Sequence, residues 1–393
     1  MLHQNNSKII LHVDMNAFFC SVACLLNPSL RGKAFAIGRE NSYRGVISSA
    51  SYEARALGIH AAMPQVEAFH LVPNLIIVSL DYKHYIEYHN KFVNILKQYT
   101  KLVEVASIDE AYVDITEVSK NRHPLVIAKE IQKRILVECG LSCSIGIAPT
   151  LFLAKMASDL KKPLGITVLR KREVKEILYP LSVKEIFGIG KKTYPILINN
   201  GIKTINDFMK IENKQLIINL IGINTYNYVI THILGNSSNK VDPERYSDFD
   251  SISTSNTFDR IINTSIEALY ELRKMTKEMV NKLTKDDYYC KTVTITLRDK
   301  NFKTITRSKT LDEFVNDFYY IFNVVTDLFE ENYKEEELRL LGVGLSNIKE
   351  RNKIPQEYNL FNLDYNDKEN KVKEMIKLFQ EKYGKNALYQ NKK

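Results

Sequence analysis

Apolar positions along this chain fall into short runs mixed with helical spacings, so strands and helices alternate from the start. Residues 8–14, Lys-Ile-Ile-Leu-His-Val-Asp, read as a buried strand that ends in a carboxylate. A helix-like segment continues through Leu25 and stops at Asn27-Pro28. Residues 35–37 and 46–49 predict short strands, and Ser51 an N-cap for a short helix closed by Gly58. Residues 64–69 predict a further helix and 75–79 a strand. Over 84–99, Tyr85, Tyr88, Phe92, Ile95 and Leu96 share one helical face. Strands at 103–108 and 111–115 flank Asp109-Glu110. A helix at 125–139, a strand at 141–147 and a helix at 151–160, stopped by Pro163, follow.

This gives a β-α-β-β-α-β rhythm over the first ~170 residues, interrupted by an insertion at about 18–78. Residues 170–240 read as all-helical and basic, and 241–250, polar and containing Pro243, as a linker. Over 251–347 the pattern predicts a strand, helices at 265–285 and 311–333, and strands at 292–297, 302–308 and 338–345, a small α/β sheet of about four strands. After Asn347 the chain is rich in Lys, Glu and Asn and reads as a flexible tail. At 393 residues it is long enough for two to four domains.

Composition narrows the class. With 45% hydrophobic and 26% charged residues the chain reads as soluble and globular. No apolar run reaches the roughly 20 residues that span a bilayer, and the short first strand is not a secretory signal, so a cytoplasmic protein without membrane contact is expected. The five cysteines include two pairs spaced four apart, Cys20/Cys24 and Cys139/Cys143. Zinc is one reading. Reduced core thiols are the preferred one, because no turn residues frame the first pair. Net charge is +9, unevenly spread. Residues 170–240 hold eleven Lys/Arg against five Asp/Glu, and 291–309 hold six against one, a distribution that suits a surface running along a duplex.

The chemistry gathers on carboxylates. If the strands carrying Asp14 and Asp109-Glu110 are neighbours, three acids converge, which is unfavourable unless a hard divalent cation lies among them. An Asp-Glu pair alone often marks only a turn. Here Ser107-Ile-Asp-Glu-Ala-Tyr-Val-Asp114 sits between apolar strands, where unpaired acids are costly. Tyr52 and Arg55, three apart at a capped helix start, make a candidate phosphate grip, although an isolated pair of this kind is more often a plain surface feature.

Residues 12–19, His-Val-Asp-Met-Asn-Ala-Phe-Phe, together with 107–114, resemble two motifs of the Y-family DNA polymerases. The resemblance implies an α+β multidomain, right-hand fold. Its parts are a ferredoxin-like palm (1–17 and 79–169), small fingers (18–78), a helical thumb (170–240) and, past the linker, an α/β little finger (251–347). It implies two Mg²⁺ ions held by Asp14, Asp109 and Glu110, with a place for the backbone of Met15. Many relatives carry an acid where this chain has Asn16, a side chain not expected to bind metal.

The run from Arg44 to Arg55 resembles the family's finger segment, which assigns Tyr52 and Arg55 to the triphosphate, with Ser49 nearby. Lys155 to Gly165 resembles its Ala-Lys…Lys-Pro-x-Gly motif. There Lys162 is the expected phosphate ligand, while Lys155 and Lys161 are expected to face solvent or structure. Phe19 is the expected steric gate against a ribose 2′-hydroxyl, with Phe18 beside it at the nucleotide. Ile186-Phe-Gly-Ile-Gly-Lys-Lys-Thr193 resembles a helix-hairpin-helix whose Gly188, Gly190, Lys191 and Lys192 would contact phosphate. Leu220-Ile-Gly-Ile-Asn224 reads as a degenerate second copy. Arg298, Lys303 and Arg307 are expected on duplex backbone, the last two on one strand face through their alternation with Ile305.

Gln356-Glu-Tyr-Asn-Leu-Phe361 resembles a sliding-clamp peptide through Gln356, Leu360 and Phe361, with Glu357 a departure. The implied function is error-prone, template-directed addition of dNTPs to the 3′-hydroxyl of primer-template DNA by a monomer, in translesion synthesis and repair, without proofreading. A nucleotide cyclase sharing the palm and a non-catalytic DNA-binding scaffold are the rival classes. The first has no use for a basic thumb, and the second none for convergent acids.

Overall fold

The opening apolar run forms β1 (Ile10–Met15), which is buried at every position. The computed structural model describes residues 8–40, 45–245, 248–333 and 337–354. The chain divides into two compact units between Asp248 and Phe249.

In the first unit β1 is followed by α1 (Phe18–Leu26), β2 (Phe35–Gly38), β3 (Ser49–Ala50), α2 (Tyr52–Ala56), α3 (Gln65–Leu71), β4 (Ile76–Ser79) and α4 (Tyr82–Lys97). Then come β5 (Val103–Val105), β6 (Glu110–Asp114), α5 (Pro124–Arg134), β7 (Cys143–Ala148), α6 (Leu151–Asp159) and β8 (Ile166–Val168). The main sheet has the order β5-β6-β1-β7-β8, antiparallel except for the β7–β8 pair. One face packs on α4 and α5 through Leu11, Val13, Phe92, Leu96, Ile127 and Ile131.

The insertion makes its own three-stranded sheet, β3-β2-β4, over a small core of Ile47, Ala54, Ile59 and Met63. Ser51 caps α2 as expected, its hydroxyl accepting from the Ala54 N–H at 3.1 Å. The predicted strand at 46–49 is reduced to Ser49–Ala50, with Val46 in an isolated bridge to Pro64. Only the last part of that segment lies alongside β2, so only there is a ladder formed.

Five short helices complete the unit: α7 (Val174–Ile177), α8 (Tyr194–Asn199), α9 (Ile205–Met209), α10 (Lys214–Ile221) and α11 (Ile223–Ile233). Their core includes Leu197, Phe208 and Val229 and is continuous with Phe152, Leu153 and Ala157 of α6. Part of the expected linker is docked. Val241 is buried, the Asp242 N–H donates to Glu104 Oε2 at 2.8 Å, and Arg245 pairs with Glu104 at 2.6 Å.

The second unit runs β9 (Ser251–Ile262), α12 (Ser265–Lys285), β10 (Tyr288–Asp299), β11 (Thr304–Val315), α13 (Phe318–Asn332), β12 (Leu338–Ser346) and the short β13 (Lys349–Glu350). Its sheet has the order β11-β10-β12-β9, backed by α12 and α13. The helix expected at 311–333 is shorter. Leu311–Val315 belongs to β11, and Asp317 caps α13 by accepting from the Tyr320 N–H at 2.9 Å. Leu311, Phe314, Val315 and Phe318 imitate helical spacing, but pairing with β10 decides the matter. Among the described residues no helix is long and apolar enough to cross a membrane.

Candidate active site

Side chains two apart on a strand share a face, so His12 and Asp14 of β1 point the same way. Register sets Asp14 opposite Glu110 on β6 and opposite Ser144 on β7. The face they share is covered by α6. That helix lies very close because Gly146 of β7 has no side chain: a Cβ there would stand 2.0 Å from the Ala154 carbonyl oxygen and 2.5 Å from the Ser158 nitrogen.

Close approach brings two lysines onto the acids. Lys155 Nζ donates to Asp14 Oδ2 and to Glu110 Oε1, each at 2.8 Å, and lies 3.5 Å from Asp159 Oδ2. Lys162 Nζ donates to the same Asp14 oxygen at 2.7 Å and is 2.6 Å from Asp159 Oδ1. Lys155 is only 7% exposed. Of the two placements expected for Lys155, solvent or structure, the second is the observed one, and the structure it faces is the acid cluster. The signal for it lay in its neighbours, since every residue from Phe152 to Ser158 is buried and a lysine in such a helix must meet a carboxylate.

The charges displace one another's titrations. Burial raises the Asp14 carboxyl above its ordinary range, against the pull of Lys155. Burial would raise Glu110 as well, but His12, Asp14 and Lys155 outweigh it and hold Glu110 well below that range. Burial would lower the Lys155 and Lys162 ammonium groups, yet both are raised, chiefly by Asp14. His12 is lowered by its burial. The two adjacent carboxylates thus shift in opposite directions because Asp14 is the more deeply buried and Glu110 gains the contacts of His12 and Lys155.

Asp109 is joined to this cluster through its backbone. Its carbonyl accepts from the Met15 N–H at 3.0 Å, while its carboxylate accepts from the Ser107 hydroxyl at 2.6 Å. The close group of possible metal-holding side chains among the described residues is therefore His12, Asp14 and Glu110. The Asp109 carboxylate stands outside it, and His12 was not singled out from sequence. The Met15 side chain is buried in the core below.

Residues 13–159 match the impB/mucB/samB family, and residues 250–358 match that family's C-terminal domain. The chain is 39% identical to a DNA polymerase IV of Oceanobacillus iheyensis, over 99% of this chain and 92% of that one. It is 37% identical to DNA polymerase IV 1 of Bacillus subtilis, over 96% and 91% respectively. Among solved structures, a Y-family DNA polymerase chimera superposes with a TM-score of 0.78 at 27% identity, covering 87% of this chain and all of the chimera. An insertion ternary complex of Dbh DNA polymerase gives 0.61 at 27% identity, over 87% and 100%. The chain belongs to the Y-family DNA polymerases. It is a DNA-directed DNA polymerase of translesion synthesis, built as palm, fingers, thumb and little finger, and membership carries the use of a divalent metal.

In this polymerase the other predicted residues lie as follows. Phe19 is half-buried, its ring 4.3 Å from that of Tyr85, whereas Phe18 is only 2% exposed and packs on Tyr85 and Phe92. The Tyr52 ring lies 5.1 Å from the Arg55 guanidinium, whose Nε donates to the Ala50 carbonyl at 2.9 Å. Burial raises the Tyr52 hydroxyl, against the pull of the Arg55 and Lys162 charges. Ser49 is buried beside Cys20.

The first half of the expected helix-hairpin-helix is only a 3₁₀ turn at Val183–Glu185. Gly188, at φ +94°, sits 3.2 Å from the Tyr228 ring by its missing Cβ, and Lys191 and Lys192 are exposed. Gly222, at φ +82°, separates α10 from α11 in the second copy.

In the little finger, Arg307 lies opposite Ile295 and so on the helix-covered face, its Nε donating to Asn332 Oδ1 at 2.9 Å. Lys303 and Ile305 line the same 340 Å³ hollow as Arg307. Arg298 occupies the opposite face, opposite Thr304. Gln356, Leu360 and Phe361 lie outside the described residues.

Proposed function

We propose that this polymerase extends a primer 3′-hydroxyl along template DNA with dNTPs, using two Mg²⁺ ions held by Asp14, Asp109 and Glu110 with the backbone of Met15. The observation that carries the reading is the Asp14–Glu110 register across β1 and β6, with Asp109 tied to Met15 one residue on. The oxygen donors fit a hard dication in chemistry, and the two ammonium groups that neutralise them here would give way to it. Bound Mg²⁺ supplies the charge that lowers the pKa of the attacking hydroxyl and steadies the leaving pyrophosphate.

The chain's own residues do the rest. Lys162, Tyr52 and Arg55 take the β- and γ-phosphates, with Ser49 alongside, and the nucleotide's arrival releases Lys162 from Asp14. Phe19 excludes a ribose 2′-hydroxyl by overlap, and Phe18, packed behind it, keeps that ring from yielding. Gly188 and Gly190 let backbone N–H groups reach phosphate, with Lys191 and Lys192 beside them, and Arg298, Lys303 and Arg307 meet the duplex backbone. We assign residues 356–361 to a sliding clamp, and the protein to the bacterial cytoplasm as a monomer.

Primer extension with Mg²⁺ and dNTPs, comparing the parent with Asp109→Ala, tests the reading. A fall of about 10³-fold, or roughly 4 kcal/mol, is expected with primer-template binding retained. An unchanged rate would remove Asp109 from the chemistry. No extension by the parent would favour the scaffold, and a cyclic product without primer would favour the cyclase.

A further inference from the structure

The turn Lys300-Asn301-Phe302-Lys303 joins β10 to β11 and is tied down at both ends. The Asp299 N–H donates to the Lys303 carbonyl at 3.1 Å, and the Lys303 N–H donates to Asp299 Oδ1 at 2.9 Å. The Phe302 N–H donates to the Asp299 carbonyl at 3.2 Å, and the Lys300 N–H to the Glu337 carbonyl at 2.9 Å. Phe302 is thereby held at φ +65°, in the left-handed region. Glycine or asparagine takes that conformation readily, whereas a bulky side chain there is strained.

Burial does not offset the strain, since Phe302 is 63% exposed. Its ring is met by the Arg339 guanidinium of β12, 4.5 Å from the ring centre. A cation–π pair at an exposed site stabilises less than such strain destabilises. Nothing among the described residues therefore accounts for an aromatic side chain at this place, and a partner from outside the fold does. The acids beside the turn are already engaged, Asp299 by the Lys303 N–H and Glu337 by Lys300. The Lys303 and Arg339 side chains have no ion pair among the described residues, so cationic groups flank the open ring.

We propose that Phe302 and Arg339 form a stacking seat for an unpaired base of single-stranded DNA, with Lys303 on the adjoining phosphate. Every base has a π face, and aromatic rings set among cations hold unpaired strands without regard to sequence. The guanidinium lies over one face of the ring and leaves the other for the base. The turn also stands where the sheet face turned away from α12 and α13 comes to its end. Arg298 and Leu340, which line the hollow on that face, are the chain neighbours of Asp299 and Arg339. A strand leaving a duplex on that face would meet the turn as it loses its partner. This location rests on the duplex contacts proposed above, but the stacking itself does not.

The test is fluorescence anisotropy of the full chain, without Mg²⁺, nucleotide or primer, on two single-stranded probes of equal length. One is an oligothymidylate, and the other is the same backbone with abasic sites. The parent should prefer the oligothymidylate, and Phe302→Asn should reduce that preference about tenfold. Phe302→Trp, which keeps a stacking ring, should retain it. Blunt duplex should bind Phe302→Asn as it binds the parent. Because asparagine relieves the strained φ, that variant should unfold in urea at the parent's midpoint or above it. An unchanged preference in Phe302→Asn would overturn the seat. So would earlier unfolding of that variant, which would make the ring a structural plug, or an equal loss on blunt duplex, which would set the ring on paired DNA. Arg298→Ala on blunt duplex reads the duplex contacts separately, so either reading can fail without the other.

Discussion

In the first unit β1 and β7 are buried at every position, so each polar side chain on them is set in a dry layer and needs a partner. In the second unit β10 alternates instead. Val293, Ile295 and Leu297 face α12 and α13, while Thr294, Thr296 and Arg298 line an open hollow of 390 Å³ with Ser253, Ser255 and Gly342. The contrast teaches how polarity is to be weighed. An aspartate in a strand buried on both faces announces chemistry, whereas hydroxyls at every second position of a one-sided sheet announce only a wet face.

The sharpest way to break this contrast is to add one carbon to each sheet. Gly146→Ala sets a methyl 2.0 Å from the α6 backbone, which must then move away. A loss above about 3 kcal/mol in urea unfolding is expected, with loss of extension as Lys155 leaves the acids. A cost below about 1 kcal/mol would mean that α6 is not pinned there.

Next in size is Lys155→Met, which removes an ammonium from a nearly dry cluster. Leaving its carboxylates short of charge should cost about 3 kcal/mol at pH 7. The sign with pH follows from Glu110, whose pKa in the folded chain is depressed. Its contribution is present above the ordinary carboxylate range and disappears as pH falls through the lowered value. The gap between parent and variant should therefore close on acidification, as denaturant unfolding at several pH values can check. Arg298, half-exposed on the second sheet, should show no such dependence.

How much of this was legible follows the same division. The acid-ended strand and the Asp109-Glu110 turn stood out because charge interrupts apolar runs, and α12, which Thr264 caps in the structure, was readable over Ser265–Lys285. Lys155 and His12 were passed over because each joins the site only through a contact remote in sequence. Gly146 lowers α6 onto β1, and the β1–β6 register turns His12 toward Glu110. The same kind of remote pairing took Leu311–Val315 into β11, against a local spacing that favoured a helix. Local pattern names the elements, and cross-chain register completes the site.

A smaller effect separates the two faces of the second sheet. If duplex DNA lies on the hydroxyl-lined face, Arg298→Ala should lower the slope of log affinity against log salt by about 1. Arg307→Ala should change it less, since Arg307 is on the helix-covered side and bonded to Asn332. Equal slopes for the two variants would place the contact at the sheet edge.

The least effect is expected at Gly344, and it is the control for Gly146. An added Cβ there meets Ser253 Cβ at 3.5 Å, Thr294 Cβ at 3.7 Å and the Ile252 carbonyl oxygen at 3.9 Å, all ordinary contacts. Its φ lies outside the left-handed region, so alanine brings no backbone strain, and restricting the unfolded chain favours the folded one. Gly344→Ala should therefore unfold within about 0.5 kcal/mol of the parent. Gly342→Ala, with Ser255 Cβ at 3.1 Å and the Thr254 carbonyl oxygen at 3.2 Å, should cost about 1 kcal/mol. Should Gly344→Ala prove as damaging as Gly146→Ala, something would be packed against the hydroxyl-lined face, and the view of that face as wet would have to be given up.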